Sequence, residues 1–115
     1  MSVESGVGWI PSFLEALDYQ QRESAPGSMD TLSLRPSEYF RRQVYGCFWF
    51  EHQSVPAAIE ALGVERILFE TDYPHPTCLY PDPLTHVAAL EPRIGEHNLR
   101  KLVQDNAAAL YRIEI

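Results

Sequence analysis

The sequence predicts an α/β protein with parallel strands, and two apolar runs and the segment joining them carry that prediction. Val44-Tyr45-Gly46-Cys47-Phe48-Trp49-Phe50 and Ile67-Leu68-Phe69 are short and β-rich, as strands covered on both faces must be. Between them, Ala57, Ala58, Ile59, Ala61 and Leu62 recur at helical spacing after Ser54 or Val55. Gly63 is placed to close that helix in a left-handed conformation. Strand, helix and strand in this order make a βαβ crossover, whose right-handed connection is almost obligatory.

From the N-terminus, the first helical pattern begins after Gly8. Pro11 suits a first turn, and Ile10, Phe13, Leu14 and Leu17 share one face as far as about Glu23. Ser24-Ala25-Pro26-Gly27-Ser28 carries breakers and small polar residues and marks a loop. Ser37 to Arg42, after Pro36, reads as a short helix leading into the aromatic strand. Beyond Ile67-Leu68-Phe69, Pro74 has no N–H to donate and restrains Tyr73, so the ladder should end near Asp72. A loop containing Pro74, Pro76, Pro81 and Pro83 follows. Leu99, Leu102 and Val103 then give a final helical pattern, with Asn106 expected to cap a last turn that buries Leu110 and Tyr111. No internal repeat or low-complexity linker interrupts this order.

A chain of 115 residues suits one small domain, and 45% hydrophobic residues with two Trp, six Tyr and five Phe argue against disorder. Nine Lys and Arg against sixteen Asp and Glu leave a net charge of −7, which disfavours a nucleic-acid partner. No apolar stretch is long enough to span a bilayer, so no membrane partner is expected. Met1-Ser2-Val3-Glu4 also lacks the basic start and apolar run of a secretory signal, and the expected location is cytoplasmic. Cys47 and Cys78 have neither zinc nor redox spacing. Cys47 reads as a buried free thiol and Cys78 as a loop thiol.

Asp72 is the chief candidate for chemistry, because a carboxylate at the C-terminal end of a parallel strand points into the crevice where α/β folds place their sites. Its local alternative is an Asx turn cap. Thr71-Asp72-Tyr73-Pro74-His75-Pro76, followed further on by Asp105-Asn106-Ala107-Ala108-Ala109-Leu110-Tyr111, resembles the C-terminal end of the amidohydrolase-related family. That family includes aminocarboxymuconate-semialdehyde decarboxylase and related metal-dependent hydrolases and decarboxylases. Val3 to Pro11 resembles its sixth strand and following loop, and Val44 to Phe50 its seventh. The resemblance implies a single partial domain over residues 1–115, the last three strand–helix units of a (β/α)8 TIM barrel. A complete barrel takes roughly 250 residues.

The same resemblance implies that Asp72 ends the eighth strand, ligates a divalent metal, zinc being the expected one, and moves a proton. Family members take further ligands from a His-x-His on the first strand and a His on the fifth, which this chain lacks. One carboxylate is too few for a zinc site. The isolated chain is therefore expected to be inactive and to leave the metal site unfilled. Where decarboxylase-like members carry a catalytic His in a His-Gly-Gly run, this sequence has Glu4-Ser5-Gly6. Glu4 is thus a second catalytic candidate, able to act as acid or base from a lower unperturbed pKa than His.

Trp9 is a candidate aromatic wall for substrate. His75 is a candidate substrate contact or orienting partner of Asp72, against the alternative of a solvent-facing loop His. His52 is a weaker candidate for the same mouth, and His86 and His97 read as surface residues. Tyr19, Arg22, Tyr39, Tyr45 and Trp49 supply aromatic surface, most of it expected in the core or in interfaces. Glu70 shares the strand face of Asp72 by the period-two rule and needs a partner; Arg66, Arg41 and Arg42 are open choices.

The implied reaction is hydrolysis of a C–N or C–O bond of a small-molecule substrate, with nonoxidative decarboxylation a close second. The competing expectation is a non-catalytic truncated or split chain. Three strands cannot close a barrel, so such a chain would pair as a homo-oligomer or with a complementary N-terminal fragment, covering Phe48, Phe50 and Phe69.

Overall fold

The computed structural model describes residues 1–27 and 31–115, so Ser28 of the expected first loop lies outside the described residues. Two strands, β1 (Gly46–Phe48) and β2 (Ile67–Phe69), pair in parallel with Gly46 opposite Ile67 and Phe48 opposite Phe69. On the other edge of β1, the Ser2 N–H donates to the Tyr45 carbonyl at 2.7 Å and the Ser2 carbonyl accepts the Cys47 N–H at 2.9 Å. This isolated parallel bridge is the whole contribution of the N-terminal segment to the sheet. Order and direction agree with expectation. Both strands are shorter than the apolar runs that predict them. The Glu70 N–H still reaches the Phe48 carbonyl at 2.9 Å, but the ladder fades before Asp72, whose φ of 59° no strand can continue.

Helices α1 (Ile10–Ser24) and α3 (Val55–Leu62) share the core with this sheet, and α2 (Pro36–Gln43) packs on α1. Each has Pro in its first turn, where the missing N–H is no loss. Gly63 ends α3 with φ 86° and ψ 141°, so its positive φ is as expected while its ψ is extended rather than left-handed helical. A 3₁₀ turn, Val64–Arg66, then delivers the chain into β2.

After β2 come α4 (Pro83–Ala88), α5 (Glu91–Ile94) and α6 (Glu96–Arg100). A π-helical turn (Lys101–Asp105) runs from α6 into α7 (Asn106–Tyr111). The first two of these helices are too short to display a helical period, which is why only the last pattern is legible in the sequence.

The core gathers Val7, Ile10 and Leu14 with Phe48, Val55, Ala58, Leu62 and Ile67, closed by Val87, Leu90 and Leu102 from the C-terminal helices. Full burial of each large side chain contributes roughly 1.5–3 kcal/mol. Phe48 is 1% exposed and packs 5.5 Å from Phe69, which corrects the expectation that it faces an uncovered surface; Phe50 remains exposed. Asn106 is also corrected. It caps nothing: its side-chain amide donates to the Val64 and Ile67 carbonyls, both at 2.7 Å, and ties α7 to the entry of β2. Ala108 is the buried residue of that last turn, with Tyr111 exposed. No helix among the described residues is long and apolar enough to cross a membrane.

Candidate metal centre

Past Phe69 the backbone turns on Asp72, in the left-handed region at φ 59°. Asp tolerates that conformation better than most residues, because a short polar side chain can bond locally. The Asp72 carbonyl accepts the His75 N–H at 2.9 Å, and the Thr71 carbonyl accepts the Leu79 N–H at 3.0 Å. The loop is thereby folded back on itself. The Asp72 side chain is only 4% exposed; Oδ1 lies 2.9 Å from His75 Nδ1, and Oδ2 accepts the Thr77 hydroxyl at 3.0 Å. The Tyr73 N–H goes to Thr71 Oγ1 at 3.4 Å, so Thr71 takes the turn-capping role considered for Asp72.

Glu4 approaches from the N-terminal segment. It too has positive φ, 55°, and its N–H donates to Glu70 Oε1 at 2.9 Å. A long side chain pays more than Asp for this conformation, and such costs collect at functional sites. Glu4, Asp72 and His75 each bring one ligand-type atom within 4.8 Å of the others, with Glu4 and His75 exposed. Sequence reading named all three, with His75 as a candidate orienting partner of Asp72, but gave the metal to Asp72 alone.

Burial pushes the Glu70 carboxyl above its ordinary range; the Glu4 N–H opposes this, and the charges of Asp72 and Glu4 add to it. Two of the three expected Arg partners are engaged elsewhere. The Arg66 guanidinium lies over the Tyr45 ring at 4.8 Å, and Arg41 donates to the Ala61 carbonyl at 2.6 Å. Among the described residues no Arg or Lys pairs with Glu70.

The structure places the other candidates outside this cluster. Trp9 donates its indole N–H to the Gly6 carbonyl at 3.0 Å and packs edge-on against Phe13 and Phe40. His52 bonds the His86 carbonyl through Nε2 at 3.0 Å, and its ring lies 4.1 Å from the His86 ring. His86 is therefore not the surface residue expected: its Nε2 is buried, and burial lowers its pKa. His97 is exposed, as expected. Sequence reading missed Glu51, whose carboxylate accepts the Val7 N–H at 2.7 Å and the Gly8 N–H at 2.8 Å. The signal for it was a carboxylate just beyond β1 facing Gly6-Val7-Gly8.

Two carboxylates and one imidazole are oxygen and nitrogen donors suited to zinc or manganese. Three protein ligands with a position left open are the complement of a catalytic zinc site. The donor set therefore fits a divalent ion, which would replace the hydrogen bond between His75 Nδ1 and Asp72 Oδ1.

A parallel sheet with carboxylates gathered beyond the C-terminal ends of its strands places the chain among α/β proteins, whose ligand sites lie at that end of the strands. The chain belongs to the amidohydrolase family, whose model matches residues 3–113. Among solved structures it is similar to 5-carboxyvanillate decarboxylase LigW from Sphingomonas paucimobilis, with TM-score 0.70 and 28% identity. That match covers 92% of this chain and 31% of the decarboxylase, so the chain spans about a third of that enzyme's length. A search of curated proteins gave no match.

Proposed function

We propose that this chain forms the last three strand–helix units of an amidohydrolase barrel and supplies part of a metal-dependent active site for a small-molecule substrate. The convergence of Glu4, Asp72 and His75 beyond the strand ends carries this reading. Likeness to a decarboxylase supports nonoxidative decarboxylation of a small carboxylic acid as the reaction. Hydrolysis of a C–N or C–O bond is the second reading, supported by Glu4, a carboxylate able to take a proton from water.

Asp72, Glu4 and His75 would hold the divalent ion, with zinc expected. When bound, such an ion polarises a substrate oxygen and lowers the pKa of water. Asp72 is the fixed member, because the Thr77 hydroxyl orients its nearly buried carboxylate. Glu4 is solvent-exposed and suited to exchange the proton that the substrate gains or loses. His75 turns Nδ1 to Asp72 and leaves Nε2 for substrate. The remaining ligands of such a site would come from the other strand–helix units of the barrel.

The test is titration of the 115-residue chain with Zn²⁺ or Mn²⁺, following the His75 ring by NMR. Asp72→Asn keeps the shape but loses the charge, and should weaken binding at least about tenfold with the fold retained, as loss of even a supporting group at a metal site does. Binding within about twofold of the unaltered chain would overturn the assignment.

A further inference from the structure

Glu51 stands just past the bend that follows β1, and its two carboxylate oxygens are both spent on the backbone ahead of α1. Oε2 accepts the Val7 N–H at 2.7 Å and Oε1 the Gly8 N–H at 2.8 Å. These are charge-assisted bonds, about twice as strong as neutral ones. The turn that offers both N–H groups exists only because of its glycines. A Cβ on Gly6, where φ is +67°, would lie 2.6 Å from Glu51 Oε2; one on Gly8 would lie 2.6 Å from Ser54 Oγ and 2.9 Å from Glu51 Oε1. The Trp9 indole closes the turn from behind by donating to the Gly6 carbonyl.

This clamp acts on the segment that carries Glu4. Upstream, the segment meets the sheet only through the single bridge at Ser2. Downstream, the first anchors are the Val7 and Gly8 amides on Glu51. Between the two, Glu4 holds a left-handed conformation with its N–H on Glu70, a geometry an untethered segment would leave.

We infer that Glu51 is the positioning residue for Glu4: by gripping the Val7 and Gly8 amides it holds the Glu4 carboxylate beside Asp72 and His75. The inference rests on reading those three residues as the metal centre. Glu51 itself is not among the three residues whose ligand-type atoms lie within 4.8 Å of one another.

A double-mutant cycle on the 115-residue chain, read by Mn²⁺ affinity, tests it. Glu51→Gln presents an NH₂ group to one of the two amides, and should weaken Mn²⁺ binding by about tenfold, the lower end for loss of a supporting group. Glu4→Gln should weaken it comparably, and the double variant no further than Glu4→Gln alone. Additive losses would overturn the inference, since Glu51 would then act by another route. Gly6→Ala, which drives a Cβ into the same carboxylate, should reproduce Glu51→Gln.

Amide hydrogen exchange gives a readout free of metal. In Glu51→Gln the Val7 and Gly8 amides should exchange at least about tenfold faster while the Leu68 amide in the core strand is unchanged. Unaltered protection at Val7 and Gly8 would overturn the clamp. Should the parent chain bind no Mn²⁺, the metal centre itself falls, and exchange alone decides whether Glu51 holds the turn.

Discussion

Replacing Asn106 with Ala should destabilise the chain more than any surface change of similar size. The Asn106 amide makes two hydrogen bonds of 2.7 Å, to the Val64 and Ile67 carbonyls, from a residue 7% exposed. Each net bond contributes about 1 kcal/mol, and a buried carbonyl left unsatisfied costs about 1–3 kcal/mol. The expected loss is about 2–4 kcal/mol, a large part of the roughly 5–15 kcal/mol that holds a domain together. With a urea slope of about 1–3 kcal/mol per M, the unfolding midpoint should fall by about 1–2 M with the slope unchanged. Asn106→Asp sharpens the test, because a carboxylate has no proton to donate and would face two carbonyl oxygens. Its folded pKa would be raised above the unfolded value, so its stability is present at low pH and lost as pH rises through the folded pKa. The Asp variant should therefore recover toward the parent as pH falls. An Ala variant within about 0.5 kcal/mol of the parent, the scatter of neutral surface changes, would show that the tie between α7 and β2 carries no load.

Cys47, with burial pushing its thiol to about 11, should resist alkylation at pH 8 while Cys78 reacts; equal rates would contradict the buried strand position. His86, whose pKa burial and the neighbouring His52 lower from 6.5, contributes stability above that value that is lost as pH falls through the folded pKa. The urea midpoint should drop between about pH 7 and 5, and His86→Phe should flatten that drop; parallel profiles would refute the assignment. Trp9, Phe13, Phe50, Tyr73 and Tyr80 are 38–70% exposed beside an open two-stranded sheet, so sedimentation at tens of micromolar should show self-association. A compact monomer that binds no hydrophobic dye would refute this.

What was legible in the sequence followed from residues whose local chemistry leaves few options. Pro11 and Pro36 mark helix starts because a first turn loses nothing by their missing N–H, and Gly63 marks the exit of α3 through its positive φ. Cys47 reads as a buried thiol in a strand because it sits inside an apolar β-rich run. What was not legible depends on contacts across the chain. Asn106 looks like a cap until the Val64 and Ile67 carbonyls are placed beside it. His86 looks like a surface residue on a short helix until His52 is laid against it. Glu70 called for an Arg, and received a backbone N–H from the far end of the chain. Glu51 has no motif of its own, since its partners are the Val7 and Gly8 amides, 44 and 43 residues away in the chain.

Removing divalent ions should leave the fold unchanged, and the disposition of four carboxylates gives the reason. Glu51 accepts two amide N–H groups, and Glu70, whose protonated form burial favours, accepts one. Asp72 is held by the Thr77 hydroxyl and the His75 ring. Only the repulsion between Glu4 and Asp72 remains, over a separation within 4.8 Å. Such a pair costs about 3–4 kcal/mol at an effective dielectric of 20, and about 1 kcal/mol in water. Glu4 is exposed, so the lower figure governs, and the left-handed turns at Glu4 and Asp72 add strain of order 1–3 kcal/mol each that the chain bears without help. A metal here would serve chemistry rather than folding, unlike small domains that unfold without zinc. A chelator should accordingly leave the thermal midpoint unmoved, while added Mn²⁺ raises it only by the mass-action amount set by its affinity. A chain that melts on chelation would show that the cluster is a structural site, and the catalytic roles given to Glu4 and Asp72 would have to be abandoned.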